Sequence, residues 1–512
     1  MSVQPAVPSL TASWRILRRI AAITFAAGLV LAVPAVASAD PGDVGFEGPA
    51  GAGGAPSGSK PESKLWFNDG SWWGSLWDTT TSDFYIWKLN QATETWSRTN
   101  TRLDDRSSTR ADVLWDDTKL YVASHNFSES DGSGTARLYR LSYNTSNDTY
   151  SVDTGFPKTI NSVKTETLVI AKDSIGLLWA TWEAGGHIWI NHTVGGDTNW
   201  NATPIQLPGA AAVNTDDISS IIAFGGNKVG VFWSNQNASP DADYFAIHED
   251  GAADTAWTIE TAYTGTNLAD DHVNLKTDSG GKVYAVVKTS LDNAGSSPLI
   301  VLLDRATNGT WASHAVSVSS LDQTRPILEI DETNQLLRVF LTSGGSGGTI
   351  NQHTSPISSI SFPGGAGTVV MKDASAMKIN NPSSTKQNVT AATGLIVLAF
   401  NDTTKRYWHA DILGGGGPPP NTPPTANATS ATTPAGQPVS VGLSGSDPET
   451  CQLTFSIVTQ PSHGTLGSIN NANCVLGSPN TDTASVAYTP AGGYQGPDSF
   501  TYKVNDGTAD YS

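Results

Sequence analysis

The stretch "KLWFNDGSWWGSLWD", Lys64 to Asp78, places four tryptophans within fifteen residues. Its second half, "WWGSLWD" from Trp72, is one of a series of short apolar runs. The others are "LYVASHN" from Leu120, "LLWATWE" from Leu177, "VGVFWSN" from Val229, "VYAVVKT" from Val283, "LLRVFLT" from Leu336 and "LIVLAFN" from Leu395. Successive starts lie 48 to 59 residues apart. Each run is short, rich in β-branched and aromatic residues, and ends on a polar residue, which is strand chemistry.

Each run has a shorter apolar segment before it ("LWF", "VLW", "LVIA", "IIAF", "VNL", "ILEI", "NVTA") and another after it ("FYIWKLN", "RLYRLSY", "HIWINHT", "YFAIHE", "LIVLLD", "TINQHT", "RYWHADI"). A fourth strand often opens on a hydroxyl–aromatic or similar pair, at Trp96, Tyr150, Trp200, Trp257 and Trp311. Four antiparallel strands recurring about every 50 residues predict an all-β, seven-bladed β-propeller. Six or eight blades, or an open solenoid, are the alternatives. The seventh unit has no fourth strand of its own, and a segment near Val44–Phe46 is the candidate to complete it.

The rest of the chain brackets this array. Arg15, Arg18 and Arg19 precede the apolar run Ile20–Val33 and the small-residue pattern Ala37–Ala39. Residues 1–39 therefore read as a signal peptide, cleaved near Ala39, and the protein as secreted or held at the extracellular surface. Residues 40–63 are Gly/Pro-rich and read as flexible, 64–413 as the propeller, and 414–424 ("GGGGPPPNTPP") as a linker. No other segment is apolar enough to span a membrane. The chain carries a net charge of −18, with only 15% charged residues, and its first 39 residues contribute three arginines and no acid. So acidic a surface repels a phosphate backbone, which argues against nucleic acid. It suits a glycan or a protein as partner, and a monomer.

The strand–turn–Thr-Trp arrangement, kept at Thr95-Trp96 and Thr310-Trp311, resembles that of sialidase-like propellers. The Asp and Gly positions of their turn motif are absent from "LNQATETW" and "DRATNGTW", so the resemblance covers architecture alone. It implies, for a sialidase, three arginines clamping a carboxylate, for which Arg106, Arg110 and Arg325 are the candidates. Residues 425–512 resemble the Ig-like, cadherin-like repeats of bacterial surface proteins. The residues that carry this are Asp447-Pro448, Pro461 with His463–Leu466, Tyr488–Pro490, and Gly496–Tyr502 followed by Asn505–Gly507. The resemblance implies a β-sandwich acting as a spacer, truncated after "NDG". Cys451 and Cys474 are the chain's two cysteines and, in an oxidising compartment, candidates for a disulfide.

In a propeller, the loops after each second strand and before each first strand share one face around the central channel. This assigns a ligand-binding mouth to Trp77, Asp78, Asp105, Arg106, Arg110, His125, Glu166, Trp182, Glu183, Asp217, Trp233, Asn235, Asp271, His272, Lys288 and Arg325. Aromatic rings there would stack on sugars, and carboxylates and amides would take hydroxyls. Paired carboxylates could also run glycoside hydrolysis. The competing reading is that Asp, Asn and Thr close turns for local reasons. No cofactor is called for. Calcium is the one cation considered, at the mouth acids or at Asp447, Glu449, Asp498 and Asp506. Asn191, Asn201 and Asn308 lie in glycosylation sequons but read as turn residues. The main expectation is recognition of a glycan or protein without chemistry, and the alternative is a sialidase-like or other polysaccharide-acting enzyme. Of the four opening tryptophans, Trp66, Trp72 and Trp73 fall in the wall and Trp77 at the mouth.

Overall fold

The structure, a computed structural model, describes residues 2–3, 42–51, 56–58, 60–293, 295–413, 423–447, 451–472, 474–475, 480–506 and 510–511. The expected signal peptide lies almost wholly outside them. No α-helix occurs among the described residues, and no helix is long and apolar enough to cross a membrane. The chain divides into two compact units, one running from Val33 to Gly417 and the other holding Pro418 to Ser512.

The larger unit is β-propeller-like. Among the described residues it holds seven consecutive antiparallel sheets with a common order of first, second, third and outer strand. The first sheet is Leu65–Asn68, Ser71–Asp78, Asp83–Asn90 and Thr95–Asp104. The apolar runs that define the repeat are the second strands, among them Ser71–Asp78, Lys119–Asn126, Leu178–Ala184 and Lys228–Asn235. These strands are buried almost end to end because each is covered on both faces by neighbouring sheets. The packing is close enough to select glycine: a Cβ at Gly74 would stand 2.8 Å from Leu65 Cδ2, and one at Gly230 would stand 2.1 Å from the Phe245 ring. Trp66, Trp72 and Trp73 are buried in this wall. Trp66 donates from Nε1 to the Tyr150 hydroxyl at 2.8 Å, which ties the first sheet to the second.

Strands Ile379–Ser383, Ile396–Asn401 and Arg406–Asp411 form the seventh sheet, and Phe46–Ala50 completes it, with Phe46 opposite His409 and Glu47 opposite Trp408. The N-terminal part of the unit thus closes the last sheet, as the Val44–Phe46 reading anticipated. The expected first strand of that sheet, "NVTA", is corrected. Val389 makes only an isolated bridge to Asp331, and the strand lies ten residues earlier at Ile379–Ser383. Two other features went unread. The second sheet has an extra strand, Lys158–Val163, paired with Ser133–Asn144. In the third sheet the outer strand is only Ile205–Gln206, so Trp200 lies in the loop before it rather than opening a strand.

Much of the lead-in expected at 40–63 is packed against the sheets where it is described. Past the closing strand, Ser57, Gly58 and Pro61 to Lys64 are buried, with Lys60 partly covered. The Glu62 carboxylate accepts from Leu168 N at 3.0 Å and from Lys64 Nζ at 2.9 Å, and lies 2.6 Å from His125 Nε2. Ser63 N donates to Asp112 at 2.9 Å, and Lys64 N and Leu65 N donate to the Ser384 carbonyl. One peptide therefore stitches together the inner edges of the first, second, third and seventh sheets. Burial works against ionising Glu62, but Lys64 and His125 outweigh it and hold the carboxyl below its usual range.

Among the described residues the smaller unit has two main sheets and a short pairing of Ser2–Val3 with Thr429–Ser430. One orders Thr425–Ala426, Val439–Asp447, Asn480–Pro490 and Gly464–Asn471, and the other Thr454–Thr459, Thr501–Asn505 and Asp510–Tyr511. Val441, Leu443, Phe455, Val486 and Tyr502 fill its core. Cys451 and Cys474 form a disulfide, with Cα atoms 5.6 Å apart. Asp498, considered for calcium, accepts from Ser462 N, His463 N and the Tyr488 hydroxyl, which is the bonding of a turn-capping acid. Glu449 lies outside the described residues.

Candidate functional site

The central mouth is a cavity of about 730 Å³ lined by Lys60, Arg110, Glu166, Asp271, His272 and Arg325, with Phe84, Phe127, Asp402 and Lys405 around them. Three carboxylates converge here: Glu166, before the first strand of the third sheet, Asp216, before that of the fourth, and Asp271, before that of the fifth. Their oxygens lie within 4.8 Å of one another. Lys60, on the buried lead-in peptide, reaches between two of them. Its Nζ is 2.7 Å from Glu166 Oε1 and is bonded to Asp271 Oδ2. The second Glu166 oxygen is buried and has no partner among the described residues.

His272 Nδ1 lies 2.7 Å from Asp270 and 2.5 Å from Asp271, while its buried Nε2 has no partner among the described residues. Burial, assisted by the Lys60 charge, lowers the His272 pKa to about 4, so the ring is neutral at neutral pH. Asp270 is held below its usual range. Burial opposes this, but the His272 hydrogen bond and the Lys288 charge outweigh it. The Arg110 guanidinium stacks 3.3 Å above the Phe127 ring, and burial lowers the pKa of both Arg110 and Arg325.

Of the sixteen residues assigned to the mouth from sequence, Arg110, Glu166, Asp271, His272 and Arg325 line this cavity. Lys288 stands behind it, 2.6 Å from Asp270. The others are placed elsewhere. Trp77 is 5% exposed and packs edge-on against Phe84, so it is wall like its three neighbours. Asp78 accepts from Thr80, Thr81 and Arg98 and closes the hairpin. Arg106 is spent on Asp104, which it grips through Nε and Nη2 at 2.9 and 2.7 Å, so the three candidate arginines do not converge. Asp105 lies outside this grip, exposed, and 3.4 Å from Arg137.

His125 is fully buried under Glu62. Asp217 caps its turn through Asn214 N, Ser234 and Gln236, and burial raises its pKa. Trp233 is 1% exposed and stacked on Tyr244, and Asn235 bonds Ala212 O and Asn237 N. Glu183 accepts from Gly186 N at 2.7 Å. Burial, reinforced by Asp131, Asp217 and Glu166, raises its pKa to about 8. Trp182 is 2% exposed and lines a different cavity, on the seam between the second and third sheets.

Lys60 and Asp216 are site residues absent from the sixteen. The signal for Lys60 was the alternation Lys60–Glu62–Lys64 in a stretch otherwise poor in charge, and that for Asp216 was the acid pair Asp216-Asp217 before a first strand.

Residues 421–512 match the family model described as bacterial Ig domain. Among curated proteins no relative matches the chain. Three solved structures similar to it are an α-L-arabinanase of Penicillium chrysogenum complexed with arabinobiose, the native arabinanase Arb43A of Bacillus subtilis, and AofleA of Arthrobotrys oligospora. The first is 10% identical, covers 62% of this chain and 98% of its own, and has a TM-score of 0.39. The second is 13% identical, with 48% and 92% covered and a TM-score of 0.29. The third is 10% identical, with 58% and 80% covered and a TM-score of 0.37. At these scores neither the activity nor the substrate of those proteins carries over.

Proposed function

We propose that the chain is an exported, monomeric, polysaccharide-acting protein: a seven-bladed propeller that works on a glycan at its central mouth, spaced from its attachment by the Ig-like unit. The observation that carries this reading is the convergence of Glu166, Asp216 and Asp271, with oxygens within 4.8 Å, on a cavity of sugar-binding size. Glycoside hydrolysis needs two carboxyl groups flanking the scissile bond, roughly 5–5.5 Å apart in retaining enzymes and 6.5–9.5 Å in inverting ones. With oxygens within 4.8 Å of one another, Glu166 and Asp271 stand closer to the retaining spacing than to the inverting one, and we assign them as the acting pair. Neutral His272 and the two cavity arginines would orient substrate hydroxyls.

The sialidase variant is not favoured, because Arg106 is committed to Asp104. A second reading, recognition without chemistry, has its own support. Lys60 bonds both carboxylates of the pair, and an ammonium held there keeps either from serving as a proton donor until it is displaced. The test is reducing-sugar release by the full chain from a panel of polysaccharides that includes arabinan. The hydrolytic reading expects release from at least one of them, lost in Glu166→Gln and Asp271→Asn. Binding without release selects recognition, and neither binding nor release at the mouth sinks both.

A further inference from the structure

We infer that the seam between the second and third sheets is a second carbohydrate site, which holds a neutral glycan chain independently of the mouth. Its cavity, about 1010 Å³, is larger than the mouth and exists because the repeat is broken there. The second sheet carries the extra strand Lys158–Val163, and the third has a long loop, Thr193 to Pro204, in place of most of its outer strand. The broken repeat leaves three indoles on one wall. Trp182 and Trp189 stand directly opposite each other across paired strands, and Trp200 projects from the loop beside them. Trp182 is buried, while Trp189 and Trp200 are only partly covered. Partly covered indoles on a concave wall offer flat apolar faces to the C–H face of a sugar ring.

A second, independent feature identifies what these rings face. Asn161, on the opposite wall, is 6% exposed, and its Nδ2 has no partner among the described residues, while its oxygen accepts from Val163 N at 3.2 Å. Trp200 Nε1 is likewise without a partner among the described residues. Buried donors are nearly always satisfied, so two orphans flanking one cavity call for acceptors from outside. Sugar hydroxyls and ring oxygens supply acceptors beside an apolar face, which a hydrocarbon ligand does not. The charged residues of the seam are Asp131, which accepts from Gly185 N at 2.8 Å, and Lys158. One charge of each sign favours a neutral chain over a polyanion. The lining runs from the hairpin residues Asp131 and Gly185 to the loop at Asn201 and Pro204, which suits several sugar units in a row.

The experiment is affinity gel electrophoresis of the full chain through gels cast with arabinan, xylan, mixed-linkage β-glucan or galactomannan. Wild type is compared with Trp200→Ala, Trp200→Phe, Asn161→Asp and the mouth variant Glu166→Gln, each first checked for an unchanged thermal melt. At least one polysaccharide should retard wild type. Trp200→Ala should weaken its apparent Kd about tenfold. Asn161→Asp, which keeps the shape but removes the donor, should weaken it by a smaller factor, with Trp200→Phe between the two. Glu166→Gln should keep the share of the retardation that Trp200→Ala removes, whatever binding it loses at the mouth. Trp200→Phe and Asn161→Asp keep the test open if the alanine variant does not fold. The inference is overturned if no polysaccharide retards the protein, or if Trp200→Ala and Asn161→Asp bind like wild type. It also fails if retention is lost only in Glu166→Gln, a result that would leave the mouth reading standing.

Discussion

The mouth and the seam are two cavities of one unit, built on opposite principles. At the mouth the repeat is obeyed: successive sheets bring their polar loop residues to a common axis, and charge accumulates until it must be paired. Glu166 and Asp271 are held by Lys60, and Asp270 by His272 and Lys288. At the seam the repeat is broken by an added strand and a shortened one, and aromatic surface and unpaired donors remain. Convergence concentrates charge suited to chemistry, whereas irregularity leaves an apolar trough suited to holding a chain.

The sharpest way to break this contrast is to disable the mouth alone. Glu166→Gln or Asp271→Asn should lower hydrolysis by about 10²–10⁴-fold, the range for a lost acid–base or nucleophilic carboxyl, while retention at the seam is unchanged. Reducing-sugar release and gel retention, measured on the same preparation, check both halves.

Next in size is the peptide that floors the mouth. Glu62→Gln leaves Lys64 charged and buried beside a weakened acceptor. Removing one partner of a buried ion pair costs roughly 3–5 kcal/mol. Urea unfolding should show that loss as a lower midpoint with an unchanged slope. Lys60, less deeply set, should behave differently: Lys60→Gln should change activity at the mouth more than stability.

The smallest expected effect is on pH. Glu183, whose pKa is raised to about 8 by burial, binds its proton more tightly folded than unfolded. Its contribution is therefore fully present below its ordinary carboxylate range and is lost as pH rises through about 8. Wild type should lose a few degrees of melting temperature between pH 6 and 9, and Glu183→Gln should flatten that slope. An unchanged slope would place the carboxylate in better contact with water than its surroundings suggest.

The sequence showed the repeat well and the site poorly, for physical reasons. Second strands such as Ser71–Asp78 and Lys228–Asn235 are buried on both faces, so their apolar runs are continuous and their spacing is plain. The first strand of the seventh sheet, Ile379–Ser383, reads "INNPS", with nothing to mark it as a strand, and "NVTA" attracted the assignment instead. The mouth was legible only around the start of a first strand: Glu166 and Asp271 stand just before Val169–Lys172 and Val273–Thr277, and Arg110 and Arg325 lie just inside Thr109–Trp115 and Gln323–Asp331. Residues near the ends of second strands, such as Trp77, Trp182 and Trp233, turn into the walls between sheets. Lys60 was overlooked because the charge alternation Lys60–Glu62–Lys64 sits in a glycine- and proline-rich lead-in, a composition that reads as linker. Asn161 and Trp200 were hidden because a broken repeat has no period.

The most direct test of the central claim is a crystal structure of the Glu166→Gln variant soaked with an oligosaccharide of whichever polysaccharide the protein acts on. The account predicts a sugar at the mouth beside Asp271, with the Lys60 ammonium displaced from Asp271, and a second stretch of glycan along Trp189 and Trp200. A mouth with Lys60 still bridging residues 166 and 271, and sugar density confined to the seam, would contradict it.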